Sequence, residues 1–172
     1  MKTSSLGRQF IQSFEKCRLI AYDDGVGVWT IGWGHTKGVK QGMACTQENA
    51  DEWFKQDIAE FESAVARSAQ VPLSRNQFDA LVSFAYNVGK GALSMSTLLR
   101  KLNEHNYLEA ANRFEDWNKG IVGGGLVPLA GLTKRRRAER RIFLEGVYEM
   151  HDGPVIDSKG TPDFSDVVSG VV

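Results

Sequence analysis

The chain is 172 residues long, with 42% hydrophobic and 24% charged side chains, a composition that fits one globular domain and excludes a disordered chain. Its 21 basic and 21 acidic residues cancel, so no net field draws the molecule to nucleic acid or to an anionic membrane. Two cysteines, Cys17 and Cys45, are too few for a disulfide framework and lack zinc-ligand spacing, so both are expected as reduced thiols.

The first residues, Met1 to Ser5, carry no apolar leader, and no run of ~18 apolar residues follows. Synthesis and initial residence in the cytoplasm are therefore expected. Leu6, Phe10, Ile11 and Phe14 recur at helical spacing behind Thr3, Ser4 or Ser5 as a cap, predicting a helix that ends near Lys16 or Cys17. A turn-rich Asp23-Asp24-Gly25-Val26-Gly27 then separates Leu19 to Tyr22 from Val28 to Trp33, which predicts a hairpin, widened to three strands after His35.

From Thr46 onward the pattern is helical. Ala50, Trp53, Phe54, Ile58, Phe61 and Val65 mark the inward face of a long helix that stops before Val71-Pro72. Ser74 with Gln77 forms a capping box for a helix running to Val88 and stopped by Gly89. A short helix carries Leu98, Leu99 and Leu102, and another opens at Asn106 and continues through Phe114 and Trp117. The glycines from Gly120 to Gly131 predict a mobile loop, and a last helix is expected from about Thr133 to Glu149. Residues 151–172 lack sustained periodicity and are expected as a loosely attached C-terminal tail of unknown role, outside a domain spanning 1–150. Helix, small antiparallel sheet, long helix and helical bundle make an α+β, predominantly helical architecture, with a cleft between a sheet lobe and a helical lobe.

Three polar residues face that cleft on paper: Glu15 at a helix end, Asp24 in the hairpin turn and Thr30 on the second strand. Inverting hydrolysis of a glycosidic bond needs a protonated carboxyl for the leaving oxygen and a second group, roughly 6.5–9.5 Å away, to hold and activate water. Taken alone, a glutamate and an aspartate at this spacing are common in chains of this charge content. Asp23, a turn residue next to Asp24, would exchange roles with it under a one-residue slip.

Several strings in order are more specific: Glu15, Asp24 and Thr30-Ile31-Gly32-Trp33-Gly34-His35-Thr36, then Phe84-Ala85-Tyr86-Asn87-Val88-Gly89, then Gly131-Leu132 followed by a basic run containing Glu139. From Phe10 to Tyr148 the sequence resembles the phage-type lysozymes. The resemblance implies a lysozyme-like fold and an endolysin that hydrolyses the β-1,4 bond between N-acetylmuramic acid and N-acetylglucosamine in peptidoglycan, with no metal and no cofactor. It implies Glu15 as general acid, Asp24 as the carboxylate that positions or activates water, and Thr30 as the hydroxyl that orients it. His35 is implied as a supporting residue near Glu15 or an aspartate, and Arg136, or Arg135 if the register slips, as the arginine paired with Glu15.

The partner expected is therefore the peptidoglycan glycan strand, met by a monomer in the periplasm after release. Delivery would require a separate pore-former or secretion system. Two other readings stand beside it. A silent wall-binding domain on the same fold is one. The run Lys134 to Arg141, in which six of eight residues are basic, would suit nucleic acid if read alone, although on a helix these side chains fan around the axis. His105 and His151 are polar-flanked and predict no metal site. Tyr86, Asn87 and Trp117 are candidates to line the cleft.

Overall fold

The computed structural model describes residues 1–25 and 27–161. Helix α1 (Ser5–Phe14) begins where the Ser4 hydroxyl accepts the Gly7 N–H, and Glu15 caps its end with an extended backbone. The chain turns into β1 (Arg18–Asp23), which pairs antiparallel with β2 (Trp29–Gly32) so that Tyr22 faces Thr30 and Asp23 faces Trp29. The expected third strand is a short contribution from residues 43–45, where Ala21 donates to the Met43 carbonyl and Cys45 to the Leu19 carbonyl. Gly32 has a φ of 63° and sits where a Cβ would come within 3.1 Å of Ala50 Cβ, so its lack of a side chain lets the sheet lie against the next helix.

That helix, α2 (Gln47–Ser68), starts from a Thr46–Asn49 capping box and links the sheet to the helical lobe. Helix α3 (Arg75–Val88) starts from the Ser74–Gln77 box and is buried along most of its length. Helices α4 (Lys90–Met95), α5 (Thr97–Asn103) and α6 (Tyr107–Asn112) wrap around it, and a 3₁₀ turn over Arg113–Trp117 completes the layer. Phe10 and Ile11 of α1, Phe54 and Ile58 of α2, and Phe78, Leu81 and Phe84 of α3 share one core with Ile142 and Phe143 from near the end of the chain.

Three expectations are corrected after Trp117. The glycine-rich segment is not a loop: β3 (Lys119–Val122) and β4 (Gly125–Pro128) form a hairpin turning on Gly123-Gly124, because β-branched and apolar residues flank the glycines on both sides. Helix α7 spans Ala130–Glu145 and stops at Gly146, whose φ of 70° puts it in the left-handed region. The residues after 150 are folded onto the body as far as 161. β5 (Tyr148–Glu149) pairs with β6 (Val155–Ile156), Ile156 packs on the core and the His151 N–H donates to Ser13 Oγ at 3.1 Å. The rest of the expected tail, 162–172, lies outside the described residues. Among the described residues no helix is long and apolar enough to cross a membrane.

Asp79 on α3 ties the start of α1 and the strand β5 to the core. Its buried carboxylate accepts the Ser4 N–H at 3.0 Å, the Ser4 hydroxyl, and the Tyr148 hydroxyl at 2.8 Å. Burial and this neighbouring charge push the Tyr148 phenol above its ordinary value, so it remains a donor. Asp79→Ala strands these donors and is expected to cost about 3 kcal/mol, with a Tm lower by roughly 6–12 °C. Thermal melts of the variant and of Asp79→Asn, which keeps an acceptor and should lose less, check this.

Candidate active site

Glu15 stands at the C-terminal end of α1 with its side chain 23% exposed, facing α7. Arg135 Nη1 donates to its Oε1 at 2.7 Å. The arginine expected first at this place was Arg136, and the structure corrects it to Arg135. Successive helix positions differ by about 100°, so only one of two adjacent arginines can point at α1. Arg136 turns inward, fully buried, with Nη2 donating to Asn87 Oδ1 at 3.0 Å and Nε 2.9 Å from Glu139 Oε2, its guanidinium over the Phe84 ring. Burial pulls the Arg136 guanidinium down from its ordinary value, and the Glu139 carboxylate opposes that pull.

Asp24 follows β1, and its Oδ1 accepts the Val28 N–H at 3.0 Å across the turn. Asp23 Oδ1 instead accepts from Gly25 at 2.7 Å and Gly27 at 3.1 Å, the pattern of a residue that shapes the turn. Thr30 is buried on β2, with its hydroxyl donating to the Val28 carbonyl at 3.3 Å. Tyr22 is the cross-strand partner of Thr30 and feels the charges of both Glu15 and Asp24. Burial, with Glu15 and Asp24 adding to it against Arg18, raises its phenol above the ordinary value. Tyr22 is thus paired with Thr30 across the strands and lies within the electrostatic reach of Glu15 and Asp24.

His35 does not approach Glu15. Its Nδ1 lies 2.8 Å from Asp57 Oδ2 on α2, its Nε2 3.0 Å from the Lys37 carbonyl, and its ring stacks on Trp53. The aspartate it supports is therefore one that was not singled out. The tight turn that bridges Ile31 and His35 aims the ring at α2.

Two recesses open near the sheet lobe and α7, and Glu15 lines the first of them. One of about 360 Å³ is bounded by Phe14, Glu15, Asn87, Leu132, Arg135 and His151. The other, about 270 Å³, lies between Gly34, Asp57, Phe61, Tyr86 and Lys90. Tyr86 donates to the Trp33 carbonyl at 2.7 Å and so joins α3 to the sheet lobe. Burial, then the nearby charges of Glu15 and Asp57, push its phenol upward, so it stays a hydroxyl donor. Trp117 packs edge-on against Phe84, in keeping with its core reading, and also borders a surface recess with Asn87 and Leu126.

Two residues at the site were given no role there by the sequence. His151 borders the Glu15 recess with its ring edge-on to Phe14, and nothing in its polar flanks announced a fold-back. Glu139 links Arg135 to Arg136, and its signal was legible: a glutamate four residues after an arginine shares a helix face with it. Among the described residues no cluster of three or more His, Cys, Asp or Glu side chains is arranged to hold a metal ion.

The chain matches the phage lysozyme family over residues 12–139. It is 41% identical over 143 residues to an endolysin of Acyrthosiphon pisum secondary endosymbiont phage 1, covering 83% of this chain and 98% of that one. It is 42% identical over 149 residues to an endolysin of Salmonella phage P22, covering 84% and 99%. The solved endolysin from Escherichia coli O157:H7 phage FAHEc1 superposes with a TM-score of 0.79 at 40% identity, over 87% of this chain and 97% of that chain. The match over residues 12–139 and the two-fifths identity to endolysins covered almost whole show that the chain belongs to the phage lysozyme family.

Proposed function

We propose that Glu15, Asp24 and Thr30 together hydrolyse, with inversion, the β-1,4 bond between N-acetylmuramic acid and N-acetylglucosamine. As a phage lysozyme, the chain is an endolysin that hydrolyses peptidoglycan. The observation that carries the finer reading is the hydrogen bond from Arg135 to Glu15 Oε1. It orients the carboxyl and leaves Oε2 to carry the proton that protonates the bridging oxygen as the glycosidic bond breaks. Asp24, on the sheet lobe, takes a proton from water attacking the opposite face of the sugar, while the Thr30 hydroxyl orients that water. A glycan strand lying between the lobes meets Tyr86 and Asn87 on the α3 side.

Digestion of purified peptidoglycan by the parent is expected to give new reducing ends at muramic acid, and NMR of the fresh product should show the α-anomer first. New amino termini instead would indicate an amidase or peptidase, anhydro-muramic ends a transglycosylase, and an initial β-anomer a retaining mechanism. The wall-binding reading predicts retention on peptidoglycan with none of these products.

A further inference from the structure

Arg135 is held on several sides besides Glu15. Its Nε donates to Glu139 Oε1 at 3.2 Å, its Nη2 to the Ser83 carbonyl at 3.4 Å, and its guanidinium carbon lies 5.4 Å from the centre of the Phe14 ring. Glu139 is fully buried, and its Oε1 also accepts the Ser83 hydroxyl at 2.7 Å and Arg136 Nη2 at 3.1 Å. The four charged groups alternate: Arg136, Glu139, Arg135, Glu15. Glu139 therefore stands behind Arg135, away from any surface a glycan can reach.

An acid catalyst beside an arginine faces opposed demands. The donor fixes the carboxyl in place, but its full positive charge favours the carboxylate and resists the proton the reaction requires. A second carboxylate on the far side of the same guanidinium keeps the geometry and takes up part of the charge. We propose that Glu139 is a positioning residue for glycan cleavage, which locks Arg135 toward Glu15 and shares its charge, with Ser83 fixing the Glu139 carboxylate. This role rests on the assignment of Glu15 as the acid. The other charged or titratable groups that face or adjoin Glu15 are Lys16 beside it, Tyr22 and Asp24 from the sheet lobe, Tyr86 from α3, Arg136 from α7 and His151 from the β5–β6 turn. None of them touches Arg135 from behind as Glu139 does.

Soluble, uncrosslinked glycan strands serve as substrate. Glu139→Gln keeps the shape of the side chain and an acceptor but removes the charge. Its kcat is expected to fall about 100-fold with KM within about 2-fold, and the basic limb of its kcat/KM profile to move about one pH unit lower. Ser83→Ala, which leaves every charge in place, should lower kcat roughly 3- to 10-fold with the limb unmoved. Glu139→Asp should restore the limb while recovering only part of kcat. Parental kcat in a folded Glu139→Gln overturns the proposal. So does a uniform loss at every pH, because that is the mark of a smaller folded fraction. If Glu139→Gln does not fold, parental rates in both Ser83→Ala and Glu139→Asp overturn it. A parent that makes no reducing ends, or a Glu15→Gln variant as fast as the parent, sinks the cleavage reading itself; parental Glu139 variants beside a dead Glu15→Gln sink only the positioning role.

Discussion

Glu15→Gln is expected to release reducing ends from peptidoglycan about 1,000-fold more slowly than the parent, since general acid catalysis contributes about 10²–10⁴-fold and an amide cannot supply the proton. The loss should fall on kcat. Arg135 Nη1, 2.7 Å from Oε1, finds the same acceptor in the amide oxygen, so the variant should keep its fold and its affinity for glycan. Turbidity clearing, reducing-end assay and a thermal melt together separate the outcomes. Parental clearing by a folded variant would remove Glu15 from the chemistry.

Asp24→Asn is expected to cost about 10²–10³-fold in kcat with Tm within about 2 °C. The reasoning runs through the turn. Asp24 Oδ1 accepts the Val28 N–H at 3.0 Å, and an asparagine oxygen can do the same, so the loop closes while the group that takes the proton from water is gone. Asp23→Asn supplies the contrast, because its two bonds to the glycine N–H groups also survive and its rate should stay within a few-fold of the parent. A dead Asp23→Asn beside a parental Asp24→Asn would move the base by one residue.

The sequence was most legible where local chemistry dictates structure. The Ser74–Gln77 box and the Thr46 cap locate α3 and α2, and Glu15, Asp24 and Thr30 fall on the helix end, turn and strand expected of them. It was least legible where long-range packing decides. Which of two adjacent arginines reaches α1 depends on the rotation of α7 against α3, and no short pattern encodes that rotation. His35 could be read as a supporting residue, but its partner Asp57 is 22 positions away on helix α2. Five glycines between Gly120 and Gly131 suggested mobility and hid the apolar residues that pair as β3 and β4. The fold-back at Tyr148 was invisible because two-residue strands carry no period, and only Asp79 and Ser13 reveal why it docks.

Helix α1 packs on α3 and on β5, so the proposed acid rides with the helical lobe. Asp24 and Thr30 ride with the two-stranded sheet, which leans on α2. The proposed proton donor and the proposed water-activating pair are thus mounted on opposite jaws, with the 22-residue α2 as the arm between them. Were the jaws held an ångström or two further apart, the reacting groups would fall out of register without either being disturbed, so a rigid wedge between sheet lobe and helical lobe would disarm the enzyme while occupying none of its proposed catalytic groups.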